Sequence, residues 1–271
     1  MHRHRCGLLA AWTTAWLTGR VPYDDVIDAV VDDEVHRVVG LPGQPDPVPL
    51  GWALSSLREH AETRMRVVLP VPGDPRGLPG PGPFSEAAMQ AGEGVLGSRL
   101  GLTPDVGDGT VLWTAHEVLP ARPHQGIVAE AEADPLTGAE ADPLTVGEAD
   151  PLTEAEADPL TVGEADHDLA VTLRAAARAL ATLDVARWRP EVAGLLQGSS
   201  HGHRRLQLPP GHEQRALGLA ERAHRLVAVL DLALADAPGA AVSGHDARAR
   251  DEALRPLATA VRRALVAAYN A

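Results

Sequence analysis

Glu132-Ala-Asp-Pro-Leu-Thr137 recurs without slippage at Glu140, Glu148 and Glu156, and a fifth start at Glu164-Ala165-Asp166-His167 departs from it. Adjoining units share Thr-x-x-Glu (Thr137/Glu140, Thr145/Glu148, Thr153/Glu156, Thr161/Glu164), the pattern in which Thr caps a helix and Glu bonds back to it. Beyond the first three pairs stands a Pro (Pro143, Pro151, Pro159), which stops a helix within one turn. Only Thr161/Glu164 lacks that Pro and runs on into Leu169, Leu173 and Leu180. A helix is therefore expected from Thr161, and the octads before it read as an acidic tract with too few large apolar residues to fold.

Downstream the pattern is helical. Leu169, Leu173, Ala176, Leu180 and Leu183 recur at 3-and-4 spacing, as do Leu219, Ala223, Leu226 and Leu230 after Pro209-Pro210-Gly211. A last helix from Ser243, with Asp246 as capping partner, presents Leu254, Leu257, Val261 and Leu265, and Pro256 is expected to kink or divide it. Upstream, helices and strands alternate. A helix over 8–18 closes at Gly19, and another opens at Pro22 with a Val26/Ile27/Val30/Val31 stripe. A helix follows around Trp52, Leu54 and Leu57, and a further one with Ser85 as N-cap and Phe84 stapled onto Met89. Strands are expected at Val35–Val39, Met65–Val71 and Thr110–Val118. The unbroken Val67-Val68-Leu69 run places Met65–Val71 at the sheet centre, covered on both faces. The expected fold is α/β (or α+β): a small three-stranded α/β unit over 1–123, a disordered acidic octapeptide-repeat linker over 124–163, and an all-α three-helix bundle over 164–271.

The net charge of −13 is unevenly spread. Residues 1–128 carry 10 Arg against 15 acids, residues 129–167 no Arg against 12 acids, and residues 168–271 carry 14 Arg against 10 acids. The acidity belongs mainly to the octads, and +4 over the last segment is too dilute for a nucleic-acid footprint. All 24 basic residues are Arg, so Schiff-base, P-loop and kinase-type lysine chemistry is excluded. One cysteine, Cys6, rules out an internal disulfide and suits a reducing compartment. No stretch approaches the ~20 apolar residues of a membrane span, and the apolar start has no convincing cleavage site, so a cytoplasmic setting is expected.

Candidate sites are few. Asp24, Asp25 and Asp28 have Asp-Asp-x-x-Asp spacing, but no second acidic motif or basic cluster accompanies them, so a solvated helix face is expected. Pro70 to Pro83 joins the best strand to a capped helix, where α/β sheets place ligands. It holds six Pro and four Gly, with Asp74 and Arg76 as its only charges. Asp74, Arg76 and Ser85 are accordingly the candidate ligand-binding residues, although each Pro removes a donor from any phosphate cradle. His201-Gly202-His203 lacks the acid or Cys that would complete a metal set and reads as a polar loop, and His2/His4/Cys6, which could also offer metal ligands, reads as a frayed terminus. Trp188 between Arg187 and Arg189 reads as a bundle cap, and the octads have Pro where calcium repeats need Gly. No catalytic residues, metal or cofactor are expected.

Pro72-Gly-Asp-Pro-Arg-Gly-Leu-Pro-Gly-Pro-Gly-Pro-Phe84 and the tail Leu254–Asn270 resemble uncharacterised proteins of high-GC actinobacteria. The resemblance extends over the chain outside the repeat and implies a cytoplasmic bacterial setting, with no activity or site residues attached. The expected function is that of a non-catalytic interaction or scaffold protein with a protein partner; the alternative is an enzyme or sensor binding a small ligand at 70–85. Deleting three octads, Glu132 to Ala155, should leave the melting temperature unchanged, whereas a large drop would show that the repeat packs on the body.

Overall fold

The computed structural model describes residues 5–32, 34–107, 109–118, 160–182, 206–235 and 244–271. The octads before Leu160, Trp188, Ser243 and the His201/His203 pair lie outside the described residues. The elements run α1 (Arg5–Leu17), α2 (Tyr23–Val31), β1 (Val35–Val39), β2 (Val48–Pro49), α3 (Leu50–Glu59), β3 (Arg66–Val68), α4 (Pro83–Ala91), β4 (Gly94–Leu96), β5 (Leu100–Gly107), β6 (Thr110–Glu117), α5 (Val162–Thr182), α6 (Gln214–Ala235) and α7 (Gly244–Tyr269). The fold is mixed α/β.

The sheet has six strands where three are expected, in the order β2-β1-β6-β5-β4-β3. β1 and β6 are parallel and the other pairs antiparallel. β4 escapes a sequence reading because it is three residues long. β5 escapes it because it contains Pro104; β4 pairs with β5 only through Val95 and Leu96, so Pro104 lies beyond that ladder, where no donor is needed. The β5–β6 hairpin did carry a signal, Asp108-Gly109 between the paired Gly107 and Thr110.

The expected central strand is a correction: β3 spans only Arg66–Val68 and forms the edge of the sheet. Its burial is nonetheless as expected, with Val67, Val68 and Leu69 at 1%, 2% and 6% exposure. Val67 and Leu69 join the large core with α1 and α7, while Val68 joins a smaller one with Phe84, Ala88 and Leu96 beneath α4. α4 starts at Pro83 after Gly82, so Ser85 lies inside the first turn and is not the N-cap. Proline is preset for the first helical position, where its missing N–H costs nothing.

The Thr161/Glu164 capping box forms. Thr161 Oγ1 accepts from the Glu164 amide at 3.3 Å, and Glu164 Oε2 accepts from the Thr161 amide at 2.9 Å. The Thr161 hydroxyl also donates to Glu164 Oε2 at 2.7 Å, and this bond, with that from the Thr161 amide, holds the Glu164 carboxyl below its usual range. α5 and α6 both pack along α7, which runs through Pro256 as one helix with Leu254, Leu257 and Val261 buried around it. Leu173, expected in the α5 seam, is 38% exposed, and Leu169 and Ala176 are buried in that seam.

α7 also reaches the sheet. The ring of Tyr269 lies where a Cβ on Gly7 would come within 2.5 Å, so α1 and α7 cross at a distance only glycine allows. The next residue, Asn270, accepts from Val67 N–H at 2.8 Å and donates to Val67 C=O at 3.0 Å, occupying the free edge of β3 as a neighbouring strand would. Glu62, 4% exposed, accepts from the amides of Ser98, Arg99 and Leu100 and so fastens the end of α3 to the β4–β5 turn. Asn270→Ala should cost about 2 kcal/mol or more, since two part-buried backbone groups lose their partners. Asn270→Asp, which keeps only the acceptor, should fall between variant and parent in chemical denaturation.

Candidate functional site

A cleft of about 840 Å³ opens between α2, α3 and the start of β1. Asp24, Ile27, Asp28 and Val31 line it from α2, because residues three and four apart share a helix face. Pro49, Leu50, Gly51, Trp52, Ser55 and Glu59 line it from the start and outer face of α3. Tyr23 reaches over the first turn of α3, and a Cβ on Gly51 would come within 1.9 Å of its hydroxyl, so a side chain there would push the Tyr23 ring aside. Trp52 and Tyr23 are 53% and 38% exposed at the cleft. Asp24, Asp28 and Glu59 are all exposed.

His36 forms the wall on the β1 side. It shares the inward register of β1 with Val38, so a polar side chain takes a core position. Trp113 Nε1 donates to His36 Nδ1 at 3.1 Å, which leaves the proton of the neutral ring on Nε2. Nε2 has no hydrogen-bond partner among the described residues; Glu34 Oε2 is 3.8 Å away. That carboxylate is itself gripped by Arg5, through Nε at 2.8 Å and Nη2 at 2.5 Å. Burial lowers the His36 pKa, and the Glu34 charge opposes the shift. The Glu34 hydrogen bond in turn raises Arg5.

The residues singled out from the sequence lie elsewhere. Asp74 and Arg76 come together, with Arg76 Nε 3.2 Å from Asp74 Oδ1. Asp74 also accepts from Arg262 of α7 at 2.8 Å, so the Pro/Gly-rich segment is tied to the C-terminal helix. The Ser85 hydroxyl donates to the Gly80 carbonyl and is not part of that cluster. Asp24 and Asp28 share the cleft wall, which does not include Asp25. Among the described residues no group of three or more His, Cys, Asp or Glu is placed to hold a metal ion. Cys6 is buried against Glu93, and burial pushes its thiol well up. No helix among them is long and apolar enough to cross a membrane. The sequence reading passed over His36, Trp52, Ser55 and Glu59 as site residues. For His36 the available signal was a polar residue on the apolar register of a strand.

Comparison with known proteins places the chain. Residues 6–126 match the model for the N-terminal domain of the Rv1486c-like protein, and residues 163–266 match that for its C-terminal domain. The chain is 32% identical to the uncharacterised protein Rv1486c of Mycobacterium tuberculosis, over 97% of this chain and 95% of that one. It belongs to the Rv1486c-like family. A further Rv1486c-like relative, the uncharacterised protein ML1804 of Mycobacterium leprae, is 27% identical over the same shares. The relatives are thus actinobacterial proteins without an assigned activity. No solved structure matches the chain.

His36 yields a pH prediction. Its folded pKa lies below the ordinary value near 6.5, so at higher pH both states leave it neutral and its contribution is complete. As pH falls below about 6.5, the unfolded chain takes up a proton that the buried ring resists, and stability declines through the folded pKa. His116, also lowered by burial, acts in the same direction. His36→Gln should therefore reduce, but not abolish, the loss of melting temperature between about pH 7 and pH 5. An unchanged slope would show that His36 does not titrate in this range.

Proposed function

We propose that this Rv1486c-like chain is a non-catalytic, cytoplasmic interaction protein. Its α/β unit, 1–123, meets a protein partner at the α2/α3 cleft; its helical unit, 164–271, braces that unit from behind, and 124–163 joins the two. The carrying observation is the cleft itself, where exposed Trp52 and Tyr23 stand beside exposed carboxylates. Aromatic side chains with a polar surround are what protein interfaces favour. A second reading, a small ligand at 70–85, is supported by Arg76, which is 44% exposed beside Asp74. A thermal-shift screen of metabolites tests it: stabilisation abolished by Arg76→Ala would favour this second reading.

The interaction reading is tested by affinity purification of the full chain from its native host, in parallel with Ser55→Arg, which fills the cleft from an exposed position on α3. A protein retained by the parent and lost with the variant is the expected outcome. A partner held equally by both would remove the cleft from this role.

A further inference from the structure

We propose that the groove between α5 and α6 binds a medium-chain fatty acid, its alkyl chain along the apolar walls and its carboxylate on Arg250. This groove lies on a different unit from the α2/α3 cleft, so the interaction reading stands or falls without it.

The shape and chemistry of the groove select an alkyl chain. α5 and α6 each pack along α7 but touch one another little, which leaves a space of about 310 Å³ between them. Leu173 and Leu180 line it from α5, Leu226 and Leu230 from α6, and Leu254 and Leu257 from α7. The described lining residues other than Arg250 are all Leu, Val or Ala, so their side chains offer a ligand no hydrogen bond. Leu173 and Val229 stand 38% and 40% exposed there, and covering their apolar surface is favourable. Leu173 to Leu180 and Leu226 to Ala233 each run about 10 Å at the helical rise. That is the reach of roughly eight carbons joined by staggered bonds of about 1.5 Å.

Arg250 selects the head group. His212 Nε2 donates to the Ala268 carbonyl at 2.8 Å, and His224 Nε2 lies 2.7 Å from the Tyr269 hydroxyl. The start of α6 therefore lies beside the end of α7, the two helices are antiparallel, and Arg250 sits at the end of the groove where α6 finishes. It is the one charged side chain among the described lining residues, and no carboxylate lines the groove with it. Arg250 is half-buried, and its Nε and Nη2 have no hydrogen-bond partner among the described residues. A cation partly withdrawn from water without a counter-charge favours an anion that reaches it. The guanidinium fork matches the two oxygens of a carboxylate, and one arginine balances one negative charge. Residues 168–271 carry 14 Arg against 10 acids, so the wider field draws an anion as well. A bare anion would leave the apolar walls in water, and a neutral lipid would leave Arg250 unmet.

The test titrates the full-length protein with decanoate by calorimetry, at neutral pH and below the micellar range. Decanoate should bind one to one, and decanol, neutral with the same chain, at least about tenfold more weakly. Acetate, the head group without the chain, should not bind at the same concentrations. Arg250→Gln should weaken decanoate at least about tenfold and leave decanol unchanged. Ala177→Trp, at an exposed position lining the groove, should weaken both by filling it. In the parent protein, nuclear Overhauser contacts from the alkyl protons to the Leu230 and Leu257 methyl groups should place the chain without reliance on any variant. No binding at millimolar decanoate, equal binding of decanol, an unchanged decanoate affinity in either variant, or alkyl contacts confined to other methyl groups would each overturn the assignment. So would dimerisation that Ala177→Trp abolishes and decanoate does not disturb, which would give the groove to a second copy of the chain.

Discussion

Asn270 presents its carboxamide to both backbone groups of Val67 and supplies to the edge of β3 what a further strand would supply. The consequences spread in two directions. An edge strand of three residues would otherwise expose a donor and an acceptor beside buried apolar side chains, an arrangement that invites pairing with another chain. And because Asn270 follows directly on α7, the same two bonds hold the C-terminal helix against α1 and β3. Tyr269 against Gly7 and Arg262 on Asp74 reinforce the join from either side. The result is one apolar core shared by segments far apart in the chain, from Cys6 and Leu9 to Val261 and Leu265.

The buried polar groups follow the same logic of local satisfaction. Glu62 is an internal anion wrapped by backbone amides, so its charge is met by dipoles from a turn. Glu34 is met by the fork of Arg5. Among the described buried polar residues Thr13 and His36 each keep an atom without a hydrogen bond, and His36 is the one that borders the cleft. An incompletely satisfied polar group in a core has a cost, and such groups collect where a protein meets something else.

The division of labour between helices explains why the cleft stays open. α2 and α3 each bury an apolar stripe, Val26 and Val30 on one, Leu54 and Leu57 on the other. Their outer faces keep Asp24, Asp28, Ser55 and Glu59, which hydrate readily and gain nothing by closing the gap. The Rv1486c-like fold thus leaves solvated carboxylates and two aromatic side chains facing each other across a space their own hydrophobic faces have no reason to fill.

Local periodicity and capping were legible in the residues alone. The helix from Thr161, the limits of β1, the α2 stripe and the burial of Val67, Val68 and Leu69 all follow from spacing, because side-chain period and cap chemistry act over a few residues. What the residues could not decide were the strands β4 and β5 and the place of β3 at the edge. A three-residue strand has no period to read, and sheet order depends on partners tens of residues away. The candidate site divides in the same way. Asp74 and Arg76 were recognisable as the only charges in their segment, yet their bonding to Arg262 is a fact of tertiary docking. The cleft was hidden because Asp24, His36 and Glu59 come from three elements, and only packing, which sets which faces meet, brings them to one space.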